Sequence, residues 1–208
     1  MKFNIKKYLV IFAISIFLPI KAFAAVGCDL NDPDREIKIF FPTSTGYKTQ
    51  YESIKNAGGK ELLNKIELRL GDKFKGLYEK YDIPYTIYTV VKDNNKIGYI
   101  HGVNQKGKYG AMQVFLIFDT KGVVKNMYFQ KLTSRASKEF KSKDFTNQFI
   151  NLSIKDIETY KVKTSKIKDP LPEKAKEDFS FTMRGVKKNL ILMDEFIFNP
   201  YNKNKEGK

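Results

Sequence analysis

Hydrophobic and polar residues recur with two different periods along this 208-residue chain, and each change of period marks a change of element. From Gly59 onward Leu62, Leu63, Ile66 and Leu70 fall three and four apart on one face, with lysines and glutamates opposite. Gly71 stands where such a helix would stop. The spacing predicts a helix there and a second, short one through Leu77 and Tyr78.

The period then drops to two. PYTIYTVVK (84–92) and IGYIHGVN (97–104) are rich in β-branched and aromatic residues and are separated by Asp93-Asn94-Asn95-Lys96, a hairpin by composition and spacing. Residues 111–119 supply a third strand, and the turn Thr120-Lys121-Gly122 leads to a fourth, VVKNMYFQK. Sequential strands pair most simply as an antiparallel meander. In the third strand Met112, Val114, Leu116 and Phe118 point one way, and Phe115 and Ile117 the other. That strand is expected to be central and covered on both faces.

Beyond Ser134 the helical period returns. Ala136, Phe140, Phe145 and Phe149 predict two short amphipathic helices broken near Ser142, followed by the polar linker KTSKIKDPLPEK with Pro170 and Pro172. The strongest periodic signal comes last: Phe179, Met183, Val186, Leu190, Met193 and Ile197 step by alternating fours and threes, predicting a helix from about residue 173 to 197 docked on the sheet. The chain therefore reads as α+β, an antiparallel meander sheet with N-terminal helices and a C-terminal amphipathic helix packed on it.

The N-terminal end follows a different logic. Residues 1–24 carry Lys2, Lys6 and Lys7, then the 13-residue apolar run YLVIFAISIFLPI, then Ala22-Phe23-Ala24, the charge order and small-residue exit of a secretory signal. A membrane span needs about 20 apolar residues, so this run reads as a signal. Export to the periplasm or the outer face of a bacterial membrane is the expectation. Residues 25–58, with two prolines and clustered Asp, Asn, Ser and Thr, read as an irregular opening segment lying against a single domain of residues 59–198, and residues 199–208 as a frayed tail.

Cys28 is the only cysteine, which excludes an intramolecular disulfide. Two readings stand for it. Cleavage after Ala24 leaves a free thiol, whereas cleavage after Gly27 with lipid on the sulfur makes Cys28 a membrane anchor. Gly27 suits the resemblance to a bacterial lipoprotein signal, and Ala25 stands where a leucine is usual.

The formal net charge is +15; without the four lysines of the signal it is +11, from 34 basic and 23 acidic residues. Export takes the chain away from nucleic acid, and the lysines are scattered, so a solvated basic surface is the default and a membrane surface a compatible partner.

Side-chain catalysis finds little material. One histidine and one cysteine lie far apart, and no His or Cys cluster has metal-ligand spacing. His101 alternates with Ile97, Tyr99 and Val103 on one strand face and reads as a packed histidine. Asp32, Asp34 and Glu36 read as solvated.

The order of elements across residues 84–151 resembles the FMN-binding domain of the exported flavin subunits of Rnf and sodium-pumping NADH:quinone oxidoreductases and of the nitrous-oxide regulator family. The matching residues are Gly107-Lys108-Tyr109-Gly110 for the family's glycine loop and Phe118 through Val124 for its aspartate-turn-glycine step. Gln130-Lys131-Leu132-Thr133-Ser134 matches its threonine-bearing strand end, and Lys143-Asp144-Phe145 through Phe149 its phenylalanine helix. The resemblance implies FMN as cofactor and a membrane redox complex or quinone-linked protein as partner.

Departures from the family pattern qualify this. Where covalently flavinylated members carry small residues before the acceptor threonine, this chain has Asp178-Phe179-Ser180-Phe181-Thr182, so the resemblance implies a noncovalent flavin. On their own chemistry, Gly107 and Gly110 permit close backbone approach, Lys108 supplies charge, Tyr109 a stacking face, and Thr133 and Ser134 hydroxyls. The same residues equally make a plain hairpin turn and helix cap. Two functions follow: an exported flavin protein serving membrane electron transfer, or a cofactor-free binding or assembly factor of the envelope on the same fold.

Overall fold

The computed structural model describes residues 28–158 and 175–201. The signal segment, the linker at 163–174 and residues 202–208 lie outside the described residues. The elements are α1 (Pro33–Phe40), β1 (Gly46–Glu52), α2 (Ile54–Leu70), a 3-10 turn (Leu77–Glu79), β2 (Tyr85–Lys92), β3 (Asn95–Lys106), β4 (Ala111–Phe118) and β5 (Val124–Leu132). Short helices α3 (Ser137–Phe140), α4 (Lys143–Thr146) and α5 (Ile154–Glu158) precede α6 (Lys176–Met193), which runs into a π-helical turn (Asp194–Phe198).

The expected meander is present, with one strand more than the periodicity showed. The order is β1-β2-β3-β4-β5, antiparallel throughout. The β2–β3 turn places Asp93 and Asn94 at φ 48° and 66°, the left-handed pair of a tight hairpin, which Asp and Asn tolerate. β1 escaped the pattern because it is an edge strand: residues 48–51 are exposed, and backbone pairing of Gly46–Glu52 with Val91–Tyr85 holds it without an apolar face.

The opening segment is not irregular. Asp32 accepts from the Arg35 N–H, Pro33 occupies the first turn, and Asp34 and Glu36 favour the helix start, so α1 is a capped helix within that stretch. Nor are its acids merely solvated: Glu36 is buried and accepts the Tyr128 hydroxyl at 2.7 Å. Helix α2 likewise begins before Gly59, where Ser53 caps it, and bends at Gly58–Gly59 (Gly59 φ 61°). Gly71 ends it at φ 74°, as expected.

Two cores sandwich the sheet. On one face α6, α2 and the phenylalanines of α3 and α4 enclose Ile87, Val103, Val114, Leu116 and Phe118. On the other, residues 28–41 lay Cys28, Leu30 and Ile37 over Tyr88, Ile100, Phe115 and Ile117. β4 is thus covered on both sides, although β3, not β4, is the middle strand. Each fully buried Leu, Ile or Phe contributes roughly 1.5–3 kcal/mol of transfer free energy.

Ile97 is the exception to the expected alternation. The β2–β3 register slips at Val90/Val91, pairing Val90 with Gly98 and Val91 with Lys96, and Ile97 packs with the second core instead of beside His101. The tail is held as far as Tyr201, whose hydroxyl donates to Glu61 and whose ring packs over Gly58.

Gly102 is one of the points where the second layer presses on the sheet. A methyl group there would meet the Phe115 ring at 2.5 Å and the Cys28 sulfur at 2.9 Å. Gly102→Ala is expected to destabilise the fold by about 1–3 kcal/mol, read from the midpoint of urea unfolding at unchanged slope.

Candidate functional site

The loop joining β3 to β4 brings four of the sequence-predicted residues together, and the end of β5 adds two more. Gly107 N–H donates to the Gly110 carbonyl at 2.8 Å and closes the turn. Gly110 sits at φ 155°, and a side chain there would press on Thr133 at 3.0 Å, so strand end and loop touch. Tyr109 is 37 % exposed, with the Arg135 guanidinium 4.8 Å and the Lys108 ammonium 5.9 Å from its ring centre.

A residue the sequence did not single out organises this group. Asp178, in the first turn of α6 and 1 % exposed, accepts the Lys108 N–H at 3.1 Å on one carboxylate oxygen and the Ser134 hydroxyl at 2.6 Å on the other. Ser134 in turn accepts the Ala136 N–H at 3.2 Å. Glu177 next door pairs with the Lys108 ammonium at 3.1 Å, a solvent-exposed contact. The only advance signal was an acid near a helix start, which by itself means dipole compensation.

These residues do not fit an FMN phosphate. The Lys108 amide and the Ser134 hydroxyl, two donors a phosphate in the loop would draw on, are already taken by a buried carboxylate. Thr182, the position corresponding to a flavin-bearing threonine, is fully buried with its hydroxyl on the Met112 sulfur at 3.7 Å, which leaves it closed to covalent attachment of a flavin.

Cys28 stands apart from this group, on the other face of the sheet. It is 2 % exposed, and burial pushes its thiol well above the ordinary range.

Beneath α6 lies a second polar group that periodicity concealed. Lys188 is fully buried, with its ammonium 2.6 Å from Glu79 and 2.7 Å from the Asn104 carbonyl. Arg184 also binds Glu79 and reaches Asp72 at 2.8 Å and Gln105 at 3.0 Å. Loss of solvent lowers the Lys188 pKa to about 8, with Glu79 opposing the shift. In Glu79 the cationic partners overcome burial and hold the carboxyl below its usual range. No group of three or more metal-ligating side chains occurs among the described residues.

His101 belongs to the same interior. Asn189 donates its amide to the carbonyls of His101 and Val114, so its oxygen is the acceptor 2.8 Å from His101 Nδ1. Nδ1 therefore carries the proton and Nε2 is a bare acceptor. Among the described residues neither Nε2 nor the Tyr85 hydroxyl has a hydrogen-bond partner, and the two rings lie 6.0 Å apart. His101 is the packed histidine that its strand position implied.

Burial lowers the His101 pKa from 6.5 to about 4, so the unfolded chain takes up the proton first. The contribution of neutral His101 is full above pH 6.5 and is lost as the pH falls through 4, amounting to roughly 3 kcal/mol. Urea unfolding across that window is expected to show the wild type losing stability more steeply than His101→Gln; equal slopes would remove His101 as the cause.

The chain matches no known family model and no curated protein sequence. Among solved structures it is similar to a subunit of the Na(+)-translocating NADH-quinone reductase from Parabacteroides distasonis, with TM-score 0.39 and 15% sequence identity over 80% of this chain and 83% of that one.

Proposed function

We propose that this chain is an exported binding or assembly factor of the cell envelope, built on the α+β meander and working without a flavin in its glycine loop. The observation that carries this reading is Asp178, whose carboxylate takes the loop donors that a phosphate would require. Export rests on the N-terminal charge and apolar pattern, and the +11 surplus of the remaining chain favours approach to anionic lipid headgroups or an acidic partner.

Cys28 in this reading is a core residue rather than an anchor. A lipid chain on its sulfur would begin inside the second core, against Gly102 and Phe115. The thiol stays protonated and packed, holding the start of the mature chain to the sheet.

One observation favours the alternative, a noncovalent flavin serving membrane electron transfer with a redox or quinone-linked partner. Tyr109 offers an aromatic face beside Arg135 and Lys108, outside the donors that Asp178 fills.

Two measurements test the proposal. Protein purified from a flavin-replete host is expected to be colourless and to leave FMN fluorescence unquenched; a visible flavin absorbance band overturns the cofactor-free reading. The mature chain is expected to have the mass of a polypeptide beginning at Ala25, with Cys28 modified by thiol reagents only after unfolding. A diacylglyceryl mass on Cys28 restores the anchor.

A further inference from the structure

The two edges of the sheet are treated differently. At the start of the β5 edge, the Val124 N–H donates to the Leu152 carbonyl and its carbonyl accepts the Asn151 N–H, each at 2.8 Å, so chain beyond the strand covers it. At the β1 edge, no backbone bond reaches Gly46–Glu52 from the side away from β2 among the described residues. Soluble proteins blunt a free edge with proline, a bulge, a very short strand or an exposed charge. The strand GYKTQYE has no proline, and its seven residues pair with β2 in unbroken register. Residues 48–51 are exposed, Tyr51 by 65 %. The one cation is Lys48, which has no ion-pair partner among the described residues.

Against a second copy of the same strand that charge is answered. Antiparallel pairing of two β1 strands about a two-fold axis at Gln50 sets Lys48 opposite Glu52, Thr49 opposite Tyr51 and Gln50 opposite itself. The Lys48–Glu52 pair then occurs twice. Each pair in this register joins positions of the same alternation, so backbone groups turned away from β2 on one copy meet the same groups on the other. Tyr47 packs with the second core, its ring 5.9 Å from Tyr88, so by alternation Lys48, Gln50 and Glu52 share the face covered by α6 and α2. One Glu52 carboxylate oxygen accepts the Ser53 N–H at 3.0 Å, which leaves the other for an ammonium. Pairing about Thr49 sets Lys48 against Gln50 and leaves both charges unanswered.

We propose that the chain forms a homodimer through β1, two five-stranded sheets joining as one antiparallel sheet of ten about a two-fold axis at Gln50. The interface uses no residue of the glycine loop, so it holds whether or not a flavin binds there.

Sedimentation equilibrium of the mature protein tests this at about 0.15 M ionic strength, where the positive charges of the two copies are screened beyond about 8 Å. A reversible monomer–dimer equilibrium is expected. A chain that stays monomeric up to about 1 mM overturns the proposal, including the case in which the edge takes an extended segment of another protein instead. Lys48→Glu sets like charges opposite each other at both ends of the pairing and is expected to weaken the dimer about tenfold or more, and Lys48→Glu with Glu52→Lys to restore it. A dimer that Lys48→Glu leaves unchanged overturns β1 as the interface. Because Glu52 also serves Ser53, the charge variants are first shown to unfold cooperatively; should they fail to fold, cross-linking decides. Opposite Cα atoms of an antiparallel pair lie about 4.5–5.5 Å apart, inside the disulfide range of about 4.4–6.8 Å. Gln50→Cys is expected to form an intermolecular disulfide on oxidation, and Thr49→Cys, out of register with its own copy, to form one far more slowly. The wild type, whose Cys28 is buried, is the control. A Gln50→Cys chain that does not cross-link, or a Thr49→Cys chain that does so as fast, overturns the register and the proposal with it.

Discussion

Helix α6 crosses β3 and β4 with polar as well as apolar side chains turned inward, and the rest of the domain is arranged around satisfying them. Burying the Lys188 ammonium without partners would cost several kcal/mol, more than a methylene-for-methylene packing gain returns. Glu79 and the Asn104 carbonyl meet that requirement. The need to bring Glu79 over the helix fixes the 3-10 turn at 77–79, and Arg184 then ties that turn to Asp72 after α2. Asn189 performs the same service for the sheet, joining the carbonyls of two adjacent strands and fixing the tautomer of His101.

The two ends of α6 repeat the theme with opposite partners. At the start Asp178 binds the glycine loop and the β5 strand end. At the finish Asp194 and Glu195 receive Arg69, and Glu195 also Lys65, so that α2 is fastened across the helix end. Because these contacts are buried or partly buried they are screened less than surface pairs. A helix held at start, middle and end by side chains from several other segments is a poor candidate for a sliding element. Its first turn is held as well, by the Asp178 carboxylate and by Ala175 and Phe179 buried in the main core.

The opposite face obeys a simpler rule. A sheet with apolar residues on both sides needs two covers, and residues 28–41 supply the second with one short helix. Cys28 and Leu30 fill space, Tyr128 stacks between Phe40 and Phe115 at 5.1 Å from each, and the Gln130 amide donates to the Asp29 carbonyl. Composition made this stretch look irregular because its helix is short and its prolines and acids are also turn formers; Pro33 and Asp32 serve instead as a helix start.

Periodicity by itself determined the four apolar strands, the break at Ser142, the Gly71 stop and the Phe179–Met193 stripe, because burial of one face imposes a spacing that can be counted along the chain. It missed β1, whose stability is backbone pairing at an edge, and the β-bulge that turned Ile97 over, since neither depends on side-chain pattern. What only the tertiary structure decided is which polar residues are inside. Asp178, Lys188 and Asn189 sit on a helix where solvent exposure is the default, and their partners lie 44 to 109 positions earlier. Partner choice over such distances is set by how the helix crosses the sheet, and no local spacing encodes a crossing.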